Sequence, residues 1–226
     1  MKTFCLDKGY VELVTYTEKG DLLVVNSARC SFDKEHKKFD DDKDSKLISY
    51  LARNGHLLPF RHPHATLRIY CPLFVLRQLG KHQVGFSWSE VSRRYVTTDL
   101  EFYLPEKWRS KAPNVKQGSS EEVSPWNEGC KADAEFLVKD ALTSYNIMIE
   151  RGICPEQARM ILPQSMYTTT MVTGSLLGWH HLYTQRTDPH TQKETQWYAQ
   201  AIGTIMNEIY PISWKALINE KNTDNR

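Results

Sequence analysis

The sequence predicts a single α+β domain, and three observations predict it. Ala65, Leu67, Ile69 and Cys71 alternate with Thr66, Arg68 and Tyr70, the period of two that marks a strand with one buried face. Val138, Ala141, Leu142, Tyr145, Met148 and Ile149 follow i, i+3, i+4, i+7 spacing, which predicts an amphipathic helix from about Cys130 that Gly152 ends. Segments of these two kinds interleave along 226 residues without an internal repeat or a Ser/Gly-rich linker, a length that fits one domain. The domain is expected over residues 1–219, with 220–226 a polar, frayed tail.

Taken in order, residues 11–28 read as β-prone, with Val11, Leu13 and Val14 followed by Leu22 to Val25. The charged stretch Asp33 to Lys46 reads as a solvated loop, and Leu47, Ile48, Leu51 and Ala52 as a short helix stopped at Asn54 or Gly55. Pro72 suits the first turn of a helix running toward His82. Asp99 to Leu104 reads as a further strand, and Ala112 to Ser120 as a loop. Pro155 opens a short helix that Pro163 closes. The β-branched run Thr168 to Thr173 breaks the helical pattern before a helix from about Ser175, and Pro189 starts the last long helix, reaching roughly Ile209.

Composition narrows the function. The apolar content of 40% is that of a folded globular chain, and a net charge of +2 announces neither a nucleic-acid nor a membrane partner. The five cysteines are odd in number and contain no C-x-x-C pair, which suits a reducing cytoplasm. No apolar run approaches the roughly 18 residues that span a bilayer. Anion chemistry must therefore come from local arginines.

Such arginines crowd one stretch, Arg77 to Tyr95, RQLGKHQVGFSWSEVSRRY. Guanidinium forks, a serine hydroxyl and backbone N–H groups can hold a phosphate there while aromatic rings exclude water. By composition alone the same stretch is equally a polar loop with surface charges. Its order of residues, however, resembles the signature of the flavin-dependent thymidylate synthases: Arg77-Gln78, then His82, then Glu90, Ser92, Arg94 and Tyr95. Lys81 and Gln83 stand where that family has the arginines of an Arg-His-Arg triplet, Ser89 stands where Asn is usual, and one extra residue separates His82 from Glu90. Lys81 keeps the charge without the bidentate fork, and Gln83 loses the charge.

Further segments carry the likeness in register. These are Ser27 to Phe32, Gly55-His56 with Pro59-Phe60 and His62, Glu101 to Pro105, Ala158-Arg159 with Leu162-Pro163, Gly174-Ser175 to His181, and Arg186 to Glu194. Together they span about residues 22–212. The resemblance implies a mainly antiparallel sheet with flanking helices, assembled as a homotetramer with shared active sites. It implies FAD as cofactor, with NADPH and 5,10-methylenetetrahydrofolate as co-substrates, and methylation of dUMP to dTMP. It places Gln78, Lys81, Glu90, Ser92, Arg93, Arg94, Arg159 and Arg186 at dUMP, with Arg186 catalytic. It places Ser31, His56, Lys81, His82, Gln83, Glu90, Ser175, Leu177, His181 and His190 at FAD.

The histidine pairs His62/His64 and His180/His181 lack the further N or S ligands that a structural metal site needs, so no metal is expected. No cysteine stands in the Pro-Cys-His context of ordinary thymidylate synthases, so activation of the uracil is expected to be electrostatic, and the resemblance implies Arg186 as the group that supplies it. Outside the resemblance, Arg159 reads equally as a surface ion pair and Arg186 as a helix C-terminal cap. Two rival functions remain open: modification of C5 on another pyrimidine nucleotide, and a non-catalytic nucleotide- or RNA-binding protein on the same fold.

Overall fold

A computed structural model describes residues 1–113 and 118–219. The first half of the chain forms β1 (Lys2–Phe4), β2 (Tyr10–Tyr16), α1 (Gly20–Arg29), α2 (Asp41–Arg53), β3 (His64–Pro72), α3 (Leu73–Leu79) and β4 (Phe86–Glu90). The second half forms β5 (Arg109–Lys111), β6 (Ser119–Val123), α4 (Asn127–Glu150), α5 (Pro155–Ala158), β7 (Tyr167–Ser175), α6 (Leu176–Arg186), α7 (Lys193–Ile209) and α8 (Pro211–Asn219). The expected tail at 220–226 lies outside the described residues, as do residues 114–117 of the expected 112–120 loop.

A five-stranded sheet in the order β1-β2-β3-β7-β4 organises the domain, and every pairing in it is antiparallel. β3 is its spine. Ala65, Leu67, Ile69 and Cys71 point to one face and are buried, as their alternation predicts, in a core shared with Val172, Trp179, Leu182, Tyr198, Ile202 and Ile205. On the opposite face Thr66 and Thr173 exchange a hydroxyl hydrogen bond at 2.9 Å, and Arg68 pairs with Glu12 at 2.9 Å. One face is thus apolar and helix-covered, the other polar. No helix among the described residues is long and apolar enough to cross a membrane.

The structure corrects several sequence expectations. Leu22 to Val25 are helical, not extended: Leu22, Val24 and Val25 are buried within α1, and Asp21 accepts the backbone N–H groups of Ile212 and Ser213 at the start of α8. Gly20 permits this join, because a Cβ there would lie 2.1 Å from the Tyr210 ring. The tertiary contact overrides the β preference of two valines. The charged run is not all loop, since α2 begins at Asp41 with Asp40 as its cap, accepting the amide of Lys43 at 3.0 Å.

Asp99 to Leu104 contributes only an isolated bridge between Phe102 and Met166, not a strand. Thr168 to Thr173 does more than break a helix, because it is the middle of β7. The helix expected from Pro189 begins only at Lys193, residues 187–192 being a hydrogen-bonded connection. β1, β4, β5, β6 and α8 were not foreseen, and the start of β6 at Ser119 corrects the end of the loop expected to reach Ser120.

α2 is anchored by Asp44, whose side chain is fully buried and accepts from Arg29 at 2.6 Å and from the Asp40 amide at 2.9 Å. Burial alone would raise its pKa, but the Arg29 guanidinium and the amide outweigh it and hold the carboxyl below its ordinary value. A depressed carboxyl stabilises the fold fully above the unfolded-state pKa of about 3.9, and that contribution is lost as pH falls through the folded value. Asp44→Asn should therefore cost about 1.5–3 kcal/mol at pH 7. In thermal melts the gap to the unsubstituted protein should shrink below about pH 4. A gap that stays constant down to pH 3 would contradict this account.

Candidate active site

Two chain reversals bring the site together. β3 ends at Pro72, whose missing N–H cannot extend the ladder and whose extended ψ of 150° makes it the N-cap of α3. α3 ends at Leu79, capped by Gly80 and with Gln78 in its last turn, and residues 80–85 lead into β4 through Gly85 at φ +79°. β7 ends at Ser175, whose hydroxyl accepts from the Gly178 amide at 3.1 Å and starts α6. α6 ends at Arg186. Gly174 lets these pieces approach, since a Cβ there would lie 2.4 Å from the Phe86 ring.

Where the two paths meet, the Nε–H of Arg186 donates to Nε2 of His82 at 3.0 Å. An acceptor at Nε2 requires a neutral imidazole with its proton on Nδ1. The surroundings enforce that state: burial first, then the charges of Arg186 and His181, push the His82 pKa from 6.5 down to about 4. The His82 backbone is held as well, its amide donating to Leu79 at 3.1 Å and its carbonyl accepting from the Trp88 indole at 3.0 Å.

The α6–α7 connection completes one wall. Gln78 donates to Gln192 at 2.6 Å, tying the end of α3 to the start of α7. Asp188 accepts the His190 amide at 2.8 Å and lies 3.0 Å from His190 Nδ1. Arg109 on β5 contacts both carboxylate oxygens of Glu194, at 2.8 and 3.0 Å. Gln78, Arg109, Arg186, Asp188, His190 and Gln192 line a cleft of about 850 Å³. Its size falls in the range of cofactor and substrate pockets, and its walls are rich in cationic and amide donors. Arg109 was not singled out from the sequence, and Gln192 was matched in a motif without a role. Arg109 lies outside every recognised segment, so only the fold could find it.

The remaining predicted residues fall elsewhere on the chain. Glu90 ends β4 and accepts from Thr168 at 3.0 Å, and Ser92, Arg93 and Arg94 form the turn that follows. Arg94 reaches Glu156 of α5 at 3.2 Å, so this turn adjoins the segment bearing Arg159, which is exposed. Arg93 donates to the Thr98 carbonyl at 2.9 Å. β4, five residues and roughly 17 Å long, stands between this group and the residues around His82.

Ser31 and His56 are exposed on the connection between α1 and β3, and Lys81, Gln83 and His181 are exposed near the cleft rim or along α6. Gln83 donates to the Gly80 carbonyl at 2.5 Å. Ser175 and Leu177 are engaged inside the domain, the first as the cap of α6 and the second in the core.

No cysteine lines the cleft among the described residues. Cys71 is fully buried and its thiol is pushed far up by burial, while Cys5 is pushed up to about 12. Neither can supply a thiolate near neutral pH. Likewise, no group of three or more His, Cys, Asp or Glu side chains among the described residues could hold a metal ion.

The model of the family described as thymidylate synthase complementing protein matches residues 12–212. The flavin-dependent thymidylate synthase of Thermotoga neapolitana is 36% identical over 219 residues, covering 96% of this chain and 94% of its own. The chain belongs to the flavin-dependent thymidylate synthase family. The enzyme of that name from Thermus thermophilus is 35% identical over 217 residues, covering 93% of this chain and 76% of its own. Among solved structures, a UMP/dUMP methylase, PolB from Streptomyces cacaoi, bound with 5-Br dUMP superposes with a TM-score of 0.84 at 27% identity. That superposition covers 96% of this chain and 97% of the other. The antiparallel sheet and flanking helices expected of this family are thus observed.

His82 is thus a neutral hydrogen-bond acceptor. A histidine with a depressed pKa favours the folded state fully above its unfolded value near 6.5, and that preference is lost as pH falls toward about 4. NMR titration of the imidazole signals should show His82 titrating near pH 4. A midpoint above 6 would mean that the bond to Arg186 is not made in solution.

Proposed function

We propose that the protein methylates dUMP at C5 to give dTMP, with 5,10-methylenetetrahydrofolate as carbon donor and NADPH as reductant through FAD. The observation that carries this reading is Arg186 held on a neutral His82 at a cleft without a thiol, in a chain of this family. C5 of uracil becomes a carbon nucleophile when negative charge on the ring is favoured. With no cysteine to add at C6, a guanidinium against the N3 and carbonyl edge stabilises that charge as it develops. C5 gains the one-carbon unit and loses its proton, both bonds from that carbon to the folate nitrogens break so that protonated tetrahydrofolate leaves, and a hydride completes the methyl group. Bound FAD supplies the redox chemistry that delivers this hydride from NADPH.

The residues fall into roles accordingly. Arg186 polarises the pyrimidine and Gln78 orients it beside the α6–α7 connection. Ser92, Arg94 and Arg159 supply a hydroxyl and two guanidinium groups for the phosphate, with Lys81, Glu90 and Arg93 around the nucleotide. The donor set fits a flavin dinucleotide: His82, His181, His190, Lys81 and Gln83 offer imidazole, ammonium and amide groups about the cleft and its rim. Ser31, His56 and Glu90 extend the set, and Ser175 and Leu177 contribute backbone.

We further propose a homotetramer with active sites built between protomers. β4 separates the Ser92–Arg94 turn from the His82–Arg186 pair, so a neighbouring copy is what would bring such groups to one nucleotide. The 24-residue helix α4 offers a surface for that copy, burying Tyr145 alone while Phe136 and Ile147, three turns apart on one face, stay exposed. Light scattering should report about four times the chain mass of 26.3 kDa. An active monomer would refute shared sites.

UMP is a second substrate to test, because the protein of the two superposing structures is a UMP/dUMP methylase, bound in one with 5-Br dUMP and in the other with 5-Br UMP. Purified protein should be yellow. Incubated with methylenetetrahydrofolate, NADPH and either nucleotide, it should add 14 mass units to dUMP; methylation of UMP alone would overturn the dUMP assignment.

Arg186→Ala should lower turnover about 10²- to 10³-fold with flavin still bound and reduced by NADPH, and Arg186→Lys should restore little. Near-normal turnover with a stability loss of about 0.3–1 kcal/mol would instead mark a helix cap. Arg94→Ala breaks only an exposed ion pair, so stability should hold while dUMP binds about tenfold weaker or more. Deoxyuridine, lacking the phosphate, should be insensitive to it.

A further inference from the structure

We infer that His82 is a positioning residue for Arg186, fixing the guanidinium so that it meets the pyrimidine end-on, through its two terminal nitrogens rather than through Nε. The inference rests on the reading that Arg186 faces the base. A guanidinium can grip a two-acceptor edge in two ways, by the Nη1/Nη2 end or by the Nε/Nη2 side. Here Nε–H is donated to Nε2 of His82 at 3.0 Å, which removes the side-on fork and leaves four terminal N–H groups.

The acceptor is itself fixed. His82 is clamped at its amide by Leu79 and at its carbonyl by the Trp88 indole. Trp88 lies in β4 opposite Val172 of β7, beside Phe86, whose ring meets Trp179 edge-on with centroids 4.8 Å apart. Arg186 is a four-torsion side chain at the last residue of α6, and this bond from outside its helix settles its direction. The sheet thereby sets the aim of a guanidinium that lies on a helix end.

The imidazole must stay neutral for this, and its depressed pKa keeps it so across the working pH range. Lys81 and Gln83, on either side, could not substitute: an ammonium has no acceptor, and the Gln83 amide is turned to Gly80.

The test uses the full-length, flavin-loaded protein with His82→Leu, which removes the acceptor, and His82→Gln, whose amide oxygen can take its place. If the positioning is real, His82→Leu lowers kcat for dUMP about 10- to 100-fold with a smaller change in KM, and His82→Gln recovers most of the loss. In the Arg186→Ala background, His82→Leu should then add nothing further, because both act through one group. Nitrogen-15 NMR gives a reading independent of turnover: a slowly exchanging Arg186 Nε–H resonance should be present in the unsubstituted protein and in His82→Gln, and absent in His82→Leu.

Additive losses in the double variant, or no protected Nε–H resonance in the unsubstituted protein, would overturn the inference. A protected resonance together with no dTMP formation would leave the geometry standing and overturn the proposed reaction instead.

Discussion

The register between β3 and β7 is the constraint on which the rest depends. The two strands pair antiparallel from His64 opposite Ser175 to Pro72 opposite Tyr167, nine residues on each side. Because side chains alternate with a period of two, a slip of one residue would turn Leu67, Ile69 and Val172 out of the core and Arg68 and Thr173 into it. That pattern admits one register. Once it is set, α3 must leave from Pro72 and α6 from Ser175, and the ends of those helices carry Gln78, the turn to His82, and Arg186. The site is thus a consequence of strand pairing, with the aromatic set Phe86, Trp88 and Trp179 transmitting it.

Much of this was legible in the residues themselves where burial is periodic. β3, the end of α2 just before Gly55 and the long helix α4 follow from spacing and stop signals. What escaped was decided by partners distant in sequence. α1 reads as β-prone and is helical because Asp21 caps α8 and Gly20 accommodates Tyr210, contacts separated by about 190 residues. β4 is short, at the sheet edge, with polar Ser87 and Ser89 outward, so its pattern is that of a loop until β7 pairs with it. The candidate site residues were named by motif order. Their grouping was not, because sequence order says nothing about the five-residue strand between the Ser92 turn and His82. Arg109 escaped entirely, lying on a three-residue strand outside every recognised segment.

The chemistry follows from what the cleft contains. Arg186 is held on an uncharged His82, and with Arg109 it brings cationic donors to a cleft whose carboxylate, Asp188, is turned to His190 and whose described lining holds no thiol. Cys71 sits directly before Pro72 yet is sealed in the core, which removes covalent activation by that side chain. The two departures from the family's triplet acquire a physical meaning in this setting. Lys81 projects an exposed ammonium, a point charge in place of a planar fork. Gln83 spends its amide on the Gly80 carbonyl, bracing the turn that holds His82.

The central claim is that the cleft beside the α6–α7 connection is where a pyrimidine ring is activated. A crystal structure of the protein with FAD and dUMP tests it most directly. The account requires the uracil edge to lie against the terminal nitrogens of Arg186, with Nε still on His82 and the phosphate met by Ser92 and Arg94 of one protomer or its neighbour. A nucleotide bound away from Arg186, for example in the apolar cavity of about 440 Å³ between Tyr103, Trp108, Leu137 and Val138, would contradict it.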